Sequence, residues 1–187
     1  IKKKQLLFVG ELVKKQGVQY VLQAIPQIID QLSNFHLMII GGGDYESELK
    51  KMVRELKIQP YVTFVGWIKN RNELDRLMGD SALAVALYDK FDAHGHINFT
   101  YYADPTKLKD YLSAGIPILL TDVPHNAQEL VDRGCGEIIK KDPFIIARSI
   151  IDILQDEKKL LQYRQNSLEY IRQFDWNLIF KKAFYER

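Results

Sequence analysis

The chain has 187 residues, of which 47% are hydrophobic, and a formal net charge of +2. Such a chain suits one soluble domain with a sizeable core, and so small a charge does not imply nucleic acid or a membrane surface as a partner. Cys135 is the only cysteine, so a disulfide framework and a thiolate metal cage are excluded, which fits a reducing compartment; no apolar run reaches the ~20 residues that span a bilayer. The sequence opens at Ile1 rather than Met, a strand begins almost at once, and a fragment cut from a longer chain is expected, with no signal peptide visible in what remains. Lys2, Lys3 and Lys4 read as a solvated start to that strand.

Leu6-Leu7-Phe8-Val9 is a continuous apolar run ending at Gly10, the pattern of a parallel strand buried on both faces. After Gly17 the period becomes helical through Val18, Val21, Leu22, Ile25, Ile28, Ile29 and Leu32, with Pro26 bending that helix or removing one of its bonds. Leu37 to Ile40 predicts a second strand. Gly41-Gly42-Gly43 follows as a tight strand-to-helix turn, with close approach to a ligand as the other use of its glycines. Asp44 is the expected N-cap of the next helix, which carries Leu49, Met52, Val53 and Leu56.

Val62 to Val65 predicts a third strand, closed by Gly66 and Trp67, and Asn70 with Glu73 starts a helix in the manner of a capping box. Leu83 to Leu87 is a fourth strand. Tyr88 to Ala103 is polar, aromatic and aperiodic, so a long loop is expected there. Within it His94 and His96 lack a third ligand at metal-site spacing, and a mobile loop is the expectation. Pro117 to Leu120, a helix over Ala127 to Val131, a short strand at Glu137 to Ile139, and C-terminal helices starting at Asp142-Pro143 complete the chain.

Between the fourth and fifth strands, Asp104 to Pro117 holds the densest signal. Asp104 is the expected N-cap, Pro105 suits the first helical position, Gly115 permits a left-handed exit and Pro117 blocks continuation. Leu108, Tyr111 and Leu112 form a core stripe, while Lys107, Asp110 and Ala114 recur on another face. The amides of Pro105-Thr106-Lys107 lie at the positive end of the helix dipole, where an anion such as phosphate is stabilised, and Lys107 adds a full charge. Lys107 can instead be a solvated side chain, and Asp110 a surface carboxylate paired with Lys107 or Lys109.

Strands alternating with amphipathic helices predict an α/β fold, a doubly wound, Rossmann-like parallel sheet of six strands. Ligands of such sheets bind beyond the strand C-terminal ends. Those ends gather Gly10 to Gly17, Gly41 to Asp44, Gly66 to Trp67, Tyr88 to Thr106 and Thr121 to His125. His125 is placed to meet a phosphate or sugar there.

Several segments, in order and spacing, resemble one family. They are Leu7 to Gly10 with Lys15 to Val18, Met38 to Gly43, Val62 to Trp67, Asp104 to Pro117, Thr121 to Pro124, Gln128 to Val131, and Phe174-Asp175-Trp176. Together they resemble the C-terminal, donor-binding domain of GT-B-fold glycosyltransferases, specifically retaining family 4, also called group 1.

The resemblance implies a nucleotide-diphosphate sugar as substrate and no metal or other cofactor. It implies a glycan or lipid-linked acceptor held by an N-terminal domain outside this chain, and no nucleic-acid partner. The setting it implies is cytoplasmic, at the inner face of the plasma membrane, with peripheral membrane contact by the full-length protein. Family members hold the diphosphate with an Arg after the position of Gly10 and a Lys before that of Gly17; Glu11 and Gln16 stand there instead. Lys14 and Lys15 lie close enough in sequence to substitute. The two family glutamates correspond to Tyr102, beside the donor sugar, and Asp110, on the ribose. A subgroup acting on bacterial surface polysaccharides shows a pattern that Pro105, Lys107, Asp110 and Tyr111 match, which implies that Lys107 supplies the cation lost at Gln16. Trp67 is either a core residue or, with Ile68, a contact of the base. Glu11, Gln16 and Tyr102 keep a second reading open, a non-catalytic binding or scaffolding module, and a GT-B-fold epimerase is a third.

Overall fold

The computed structural model describes residues 4–185, so Lys2 and Lys3 lie outside the described residues. All six expected strands form: β1 (Lys4–Val9), β2 (Phe35–Ile40), β3 (Val62–Gly66), β4 (Leu83–Ala86), β5 (Ile118–Leu120) and β6 (Gly136–Ile138). Between and after them run α1 (Val18–Ile29), α2 (Glu46–Glu55), α3 (Arg71–Gly79), α4 (Thr106–Ser113), α5 (Ala127–Asp132), α6 (Pro143–Gln155), α7 (Glu157–Ile171) and α8 (Trp176–Tyr185). The sheet is parallel throughout, in the order β3-β2-β1-β4-β5-β6. Its topology reverses between β1 and β4, where doubly wound sheets open a crevice.

Two cores follow from the two faces. One gathers Phe8, Leu22, Leu37, Leu49 and Ile150 under α1, α2 and α6; the other gathers Leu7, Met78, Leu108, Tyr111 and Leu130 under α3, α4 and α5. β1 starts earlier than its apolar run because Gln5 is satisfied in the interior, its amide donating to Ser81 Oγ at 2.9 Å. Pro26 is accommodated inside α1. β3 is an edge strand, so Thr63 and Val65 face outward rather than being buried on both sides.

Asn70 caps α3, accepting from the Asn72 and Glu73 amides at 2.9 and 3.3 Å, and Asp142 caps α6. Asp44 does not cap α2. That helix begins at Glu46 after Tyr45 with no side-chain cap, because backbone bonds close the turn: Glu46 N–H to the Gly43 carbonyl at 3.0 Å and Tyr45 N–H to that of Leu12 at 2.9 Å.

Tyr88 to Ala103 is not the featureless loop expected. Phe91 and Ile97 form an antiparallel bridge, a 3-10 turn covers Phe99–Tyr101, and Asp92 accepts from the His96 and His94 amides at 2.9 and 2.8 Å. Those bonds hold the Asp92 carboxyl below its ordinary pKa, the His96 amide contributing most. A closed hairpin therefore stands on the end of β4.

Candidate functional site

β1 and β4 pair only at Leu6 with Leu83 and Leu7 with Ala84, whereas β1 and β2 stay in register through Val9 and Ile40. Past Leu7 the sheet splits, and the loop from Gly10 turns away to α1 along one side of the gap. Gly10 adopts φ +146°, and a Cβ there would come within 2.9 Å of Lys107 Nζ. The ammonium of Lys107 therefore lies over Gly10. It donates to Gln16 Oε1 at 2.7 Å and sits 4.5 Å from the Phe8 ring centroid and 5.0 Å from that of Tyr88. Burial pushes its pKa down to about 7. Lys107 thus carries its charge at the position of the Gln16 side chain, from a helix far along the chain.

Asp104, expected to cap α4, does not. Its carboxylate pairs with Lys109 Nζ and accepts from Asn126 Nδ2 at 3.1 Å, so it is drawn away from the helix start. Pro105 takes the N-cap position with extended geometry and no side-chain bond, and Thr106 is the first helical residue. The first-turn amides of α4 consequently have no side-chain cap and lie one residue from Lys107. Gly115 ends the helix as expected, at φ +64°.

Asp110 pairs neither with Lys107 nor with Lys109. Arg71 Nη2 of α3 reaches its Oδ1 at 2.9 Å, an arginine that the sequence had not singled out. Hydrogen bonding to Asp110 raises the pKa of Arg71 further. Tyr111 is fully buried and more than a core residue: its hydroxyl accepts from the Val9 N–H at 2.7 Å.

Lys14 and Lys15 occupy an exposed 3-10 turn beside Gln16. The glycines at the end of β2 make room for protein rather than for empty space: a Cβ on Gly41 would lie 1.9 Å from the Gly10 carbonyl oxygen, and one on Gly43 2.5 Å from that of Leu12. Gly42 faces Trp67, whose indole nitrogen would stand 2.8 Å from such a Cβ. Trp67 is 67% exposed and so is not a core residue, while Ile68 packs against the second core. Tyr102 is exposed and stacks edge-on with Tyr101. His125 contacts the Ala103 carbonyl at 3.1 Å. The split thus brings together Gly10, Gln16 and Lys107, with Pro105 and Thr106 beside them, while no contact joins Trp67, Tyr102 or Asp110 to the ammonium.

An ammonium and uncapped amides at the sheet's switch point present the donors that a phosphate group accepts from. Among the described residues no helix is long and apolar enough to cross a membrane. The family model for glycosyl transferases group 1 matches residues 1–170. An uncharacterized glycosyltransferase of Methanocaldococcus jannaschii is 26% identical over 155 residues, 82% of this chain and 36% of that protein. A phosphatidyl-myo-inositol mannosyltransferase of Mycobacterium leprae is 22% identical over 178 residues, 94% of this chain and 44% of its own length. The chain therefore spans less than half of either relative. In fold it is similar to the pneumococcal O-GlcNAc transferase GtfA, solved in complex with UDP and GlcNAc, with a TM-score of 0.78 and 19% identity over 97% of this chain and 35% of that one. With the crevice and the sheet order in agreement, the chain belongs to the group 1 glycosyltransferases and folds as the C-terminal half of a GT-B enzyme.

Proposed function

We propose that this chain is the donor half of a retaining glycosyltransferase. It binds a nucleotide-diphosphate sugar, and the enzyme transfers the sugar to a glycan or lipid-linked acceptor in bacterial surface polysaccharide synthesis. The acceptor is held by an N-terminal domain outside this chain, and the full-length protein works at the cytoplasmic face of the membrane. The observation that carries this reading is the Lys107 ammonium, 2.7 Å from Gln16 and directly over Gly10, beside the open first turn of α4. Negative charge builds on the departing diphosphate during glycosyl transfer, and preorganised donors at that point lower the barrier. Lys107 and the amides of Thr106 and Lys107 supply them; Lys14 and Lys15 stand at the rim.

In this reading Asp110, held by Arg71, faces the ribose, Trp67 and Ile68 take the base, Gly10, Gly41 and Gly42 let the backbone approach, and Tyr102 stands at the donor sugar. The bound UDP of the pneumococcal relative and the mannosyl transfer named for the mycobacterial one support the class of ligand. A second reading, a binding module with a decayed site, draws on the exposed Glu11 beside the crevice and on Tyr102 standing in for a carboxylate. Titrating the full-length protein with UDP, GDP and ADP separates the two. Micromolar binding to one of them that Lys107→Ala weakens roughly 30-fold supports the transferase, and binding to none overturns it.

A further inference from the structure

We infer that Tyr111 is a positioning residue of the donor site: its hydroxyl replaces the strand partner that β1 loses where the sheet splits, and thereby fixes where Lys107 stands over Gly10. The inference deepens the donor-site reading and rests on it.

Alternate residues of β1 present their backbone to alternate neighbours. Gly10 donates to Ile40 of β2 at 2.9 Å, so Val9, of opposite parity, presents its N–H and C=O toward β4, as Gln5 does when its carbonyl accepts from Ala82 N–H at 2.9 Å. Pairing with β4 ends at Leu7 and Ala84. Val9 would therefore hold an amide and a carbonyl with no strand opposite, at the partly buried margin of the second core. Tyr111 supplies both partners. Its oxygen accepts from the Val9 amide at 2.7 Å and lies 3.5 Å from the Val9 carbonyl oxygen, within reach of a long donated bond. Burial holds this hydroxyl protonated, above its ordinary pKa, so it can serve in both directions.

Four residues apart on one helix, Lys107 and Tyr111 share a face. Tying Tyr111 to the last residue of β1 sets both the depth and the rotation of α4, and so places the ammonium one turn earlier against the next residue, Gly10. Arg71 gripping Asp110 steadies the same turn from α3 but does not touch β1. Other groups around the ammonium contribute no carboxylate contact: Gln16 from the loop after β1, the Phe8 ring from β1 and the Tyr88 ring from the end of β4. Its position is therefore set by packing and by the helix anchor rather than by an ion pair.

Tyr111→Phe in the full-length protein removes one oxygen and tests the inference. UDP affinity should fall roughly tenfold, and the Val9 amide should lose hydrogen-exchange protection while the Leu7 amide keeps it. Without nucleotide, the Lys107 side chain followed by NMR should titrate at higher pH than in the wild type, because it gains water where it was buried. Ile150→Val, in the other core, serves as the comparison; once the two variants are matched in melting temperature it should leave affinity and lysine titration unchanged. A Tyr111→Phe protein that keeps the wild-type lysine titration, or whose losses equal those of Ile150→Val, overturns the inference. If Tyr111→Phe does not fold, the wild type decides: rapid Val9 exchange would overturn the anchor, and slow exchange would support it. Failure of the wild type to bind UDP, GDP or ADP overturns the donor-site reading instead, and the ligand-free titration still reports on the anchor.

Discussion

Two helices of this chain begin with the same pair of residues, and they begin differently. At α6, Asp142 Oδ1 accepts from the amides of Phe144 and Ile145, both at 3.0 Å, with Pro143 as the first helical residue. At α4, Asp104 turns instead to Lys109 and Asn126, and Pro105 is left outside the helix. An aspartate before a proline proposes a cap, but competing partners decide whether it is made. The capped start lies away from the switch point and completes its own hydrogen bonding. The uncapped start lies beside the sheet's split, where open amides and Lys107 can serve an anion. The difference between the two is the difference between a helix start closed by its own aspartate and one whose first amides are left open beside Lys107.

The largest expected effect lies at the open start. Lys107→Ala should weaken nucleoside diphosphate binding by about 2 kcal/mol, or roughly 30-fold, the scale of a hydrogen bond to a charged group. The melting temperature should move little, because the lost ammonium is one whose charge burial disfavours. Calorimetric titration and a thermal melt read the two quantities separately. An affinity unchanged in this variant would remove the contrast between the helices.

Acidity gives the next effect, and its sign is fixed. Lys107 has a pKa lowered to about 7 in the free chain, and a diphosphate beside it raises that value, so binding takes up a proton. Affinity is then greatest below pH 7 and falls as pH rises above it, by up to about tenfold per unit until the pKa of the complex is reached. The second ionisation of phosphate, near 6, is largely complete before this window. Binding measured from pH 7 to 9 should show the decline, and Lys107→Arg, charged throughout, should flatten it. A wild-type affinity that stays flat across that window contradicts a neutralisable cation at the site.

The architecture was legible in the sequence because it is written locally. Apolar runs alternating with helical stripes give the six strands and the doubly wound parallel sheet, Gly115 gives its left-handed exit, and Asn70 and Asp142 give their caps. What could not be read depends on partners distant in the chain. Lys107 meets Gln16 across 91 positions, a pairing that only the family resemblance suggested, and Tyr111 meets Val9 across 102; no period or spacing encodes either. Asp44 and Asp104 were misread for the same reason. Backbone carbonyls closed the turn at Asp44, and Lys109 with Asn126 captured Asp104. The family pattern through Pro105, Lys107, Asp110 and Tyr111 pointed to α4, but Arg71, which holds Asp110, stands on another element and carries no signal of its own.

The last effects separate the two aspartates directly. Asp142→Ala removes a made cap and should cost about 1 kcal/mol of stability, with nucleoside diphosphate affinity unchanged. Asp104→Ala removes no cap. It loses a part-exposed ion pair with Lys109 and a bond from Asn126, so a few tenths of a kcal/mol is expected. Chemical denaturation of the two variants in parallel reads the difference, with equal slopes showing that both unfold from the same folded state. If Asp104→Ala proved as destabilising as Asp142→Ala, its carboxylate would be capping α4 in solution, and the amides of Thr106 and Lys107 would not be open to a phosphate. A smaller loss, with affinity retained, leaves those amides as the free end of a dipole beside the one ammonium that the crevice holds against Gly10.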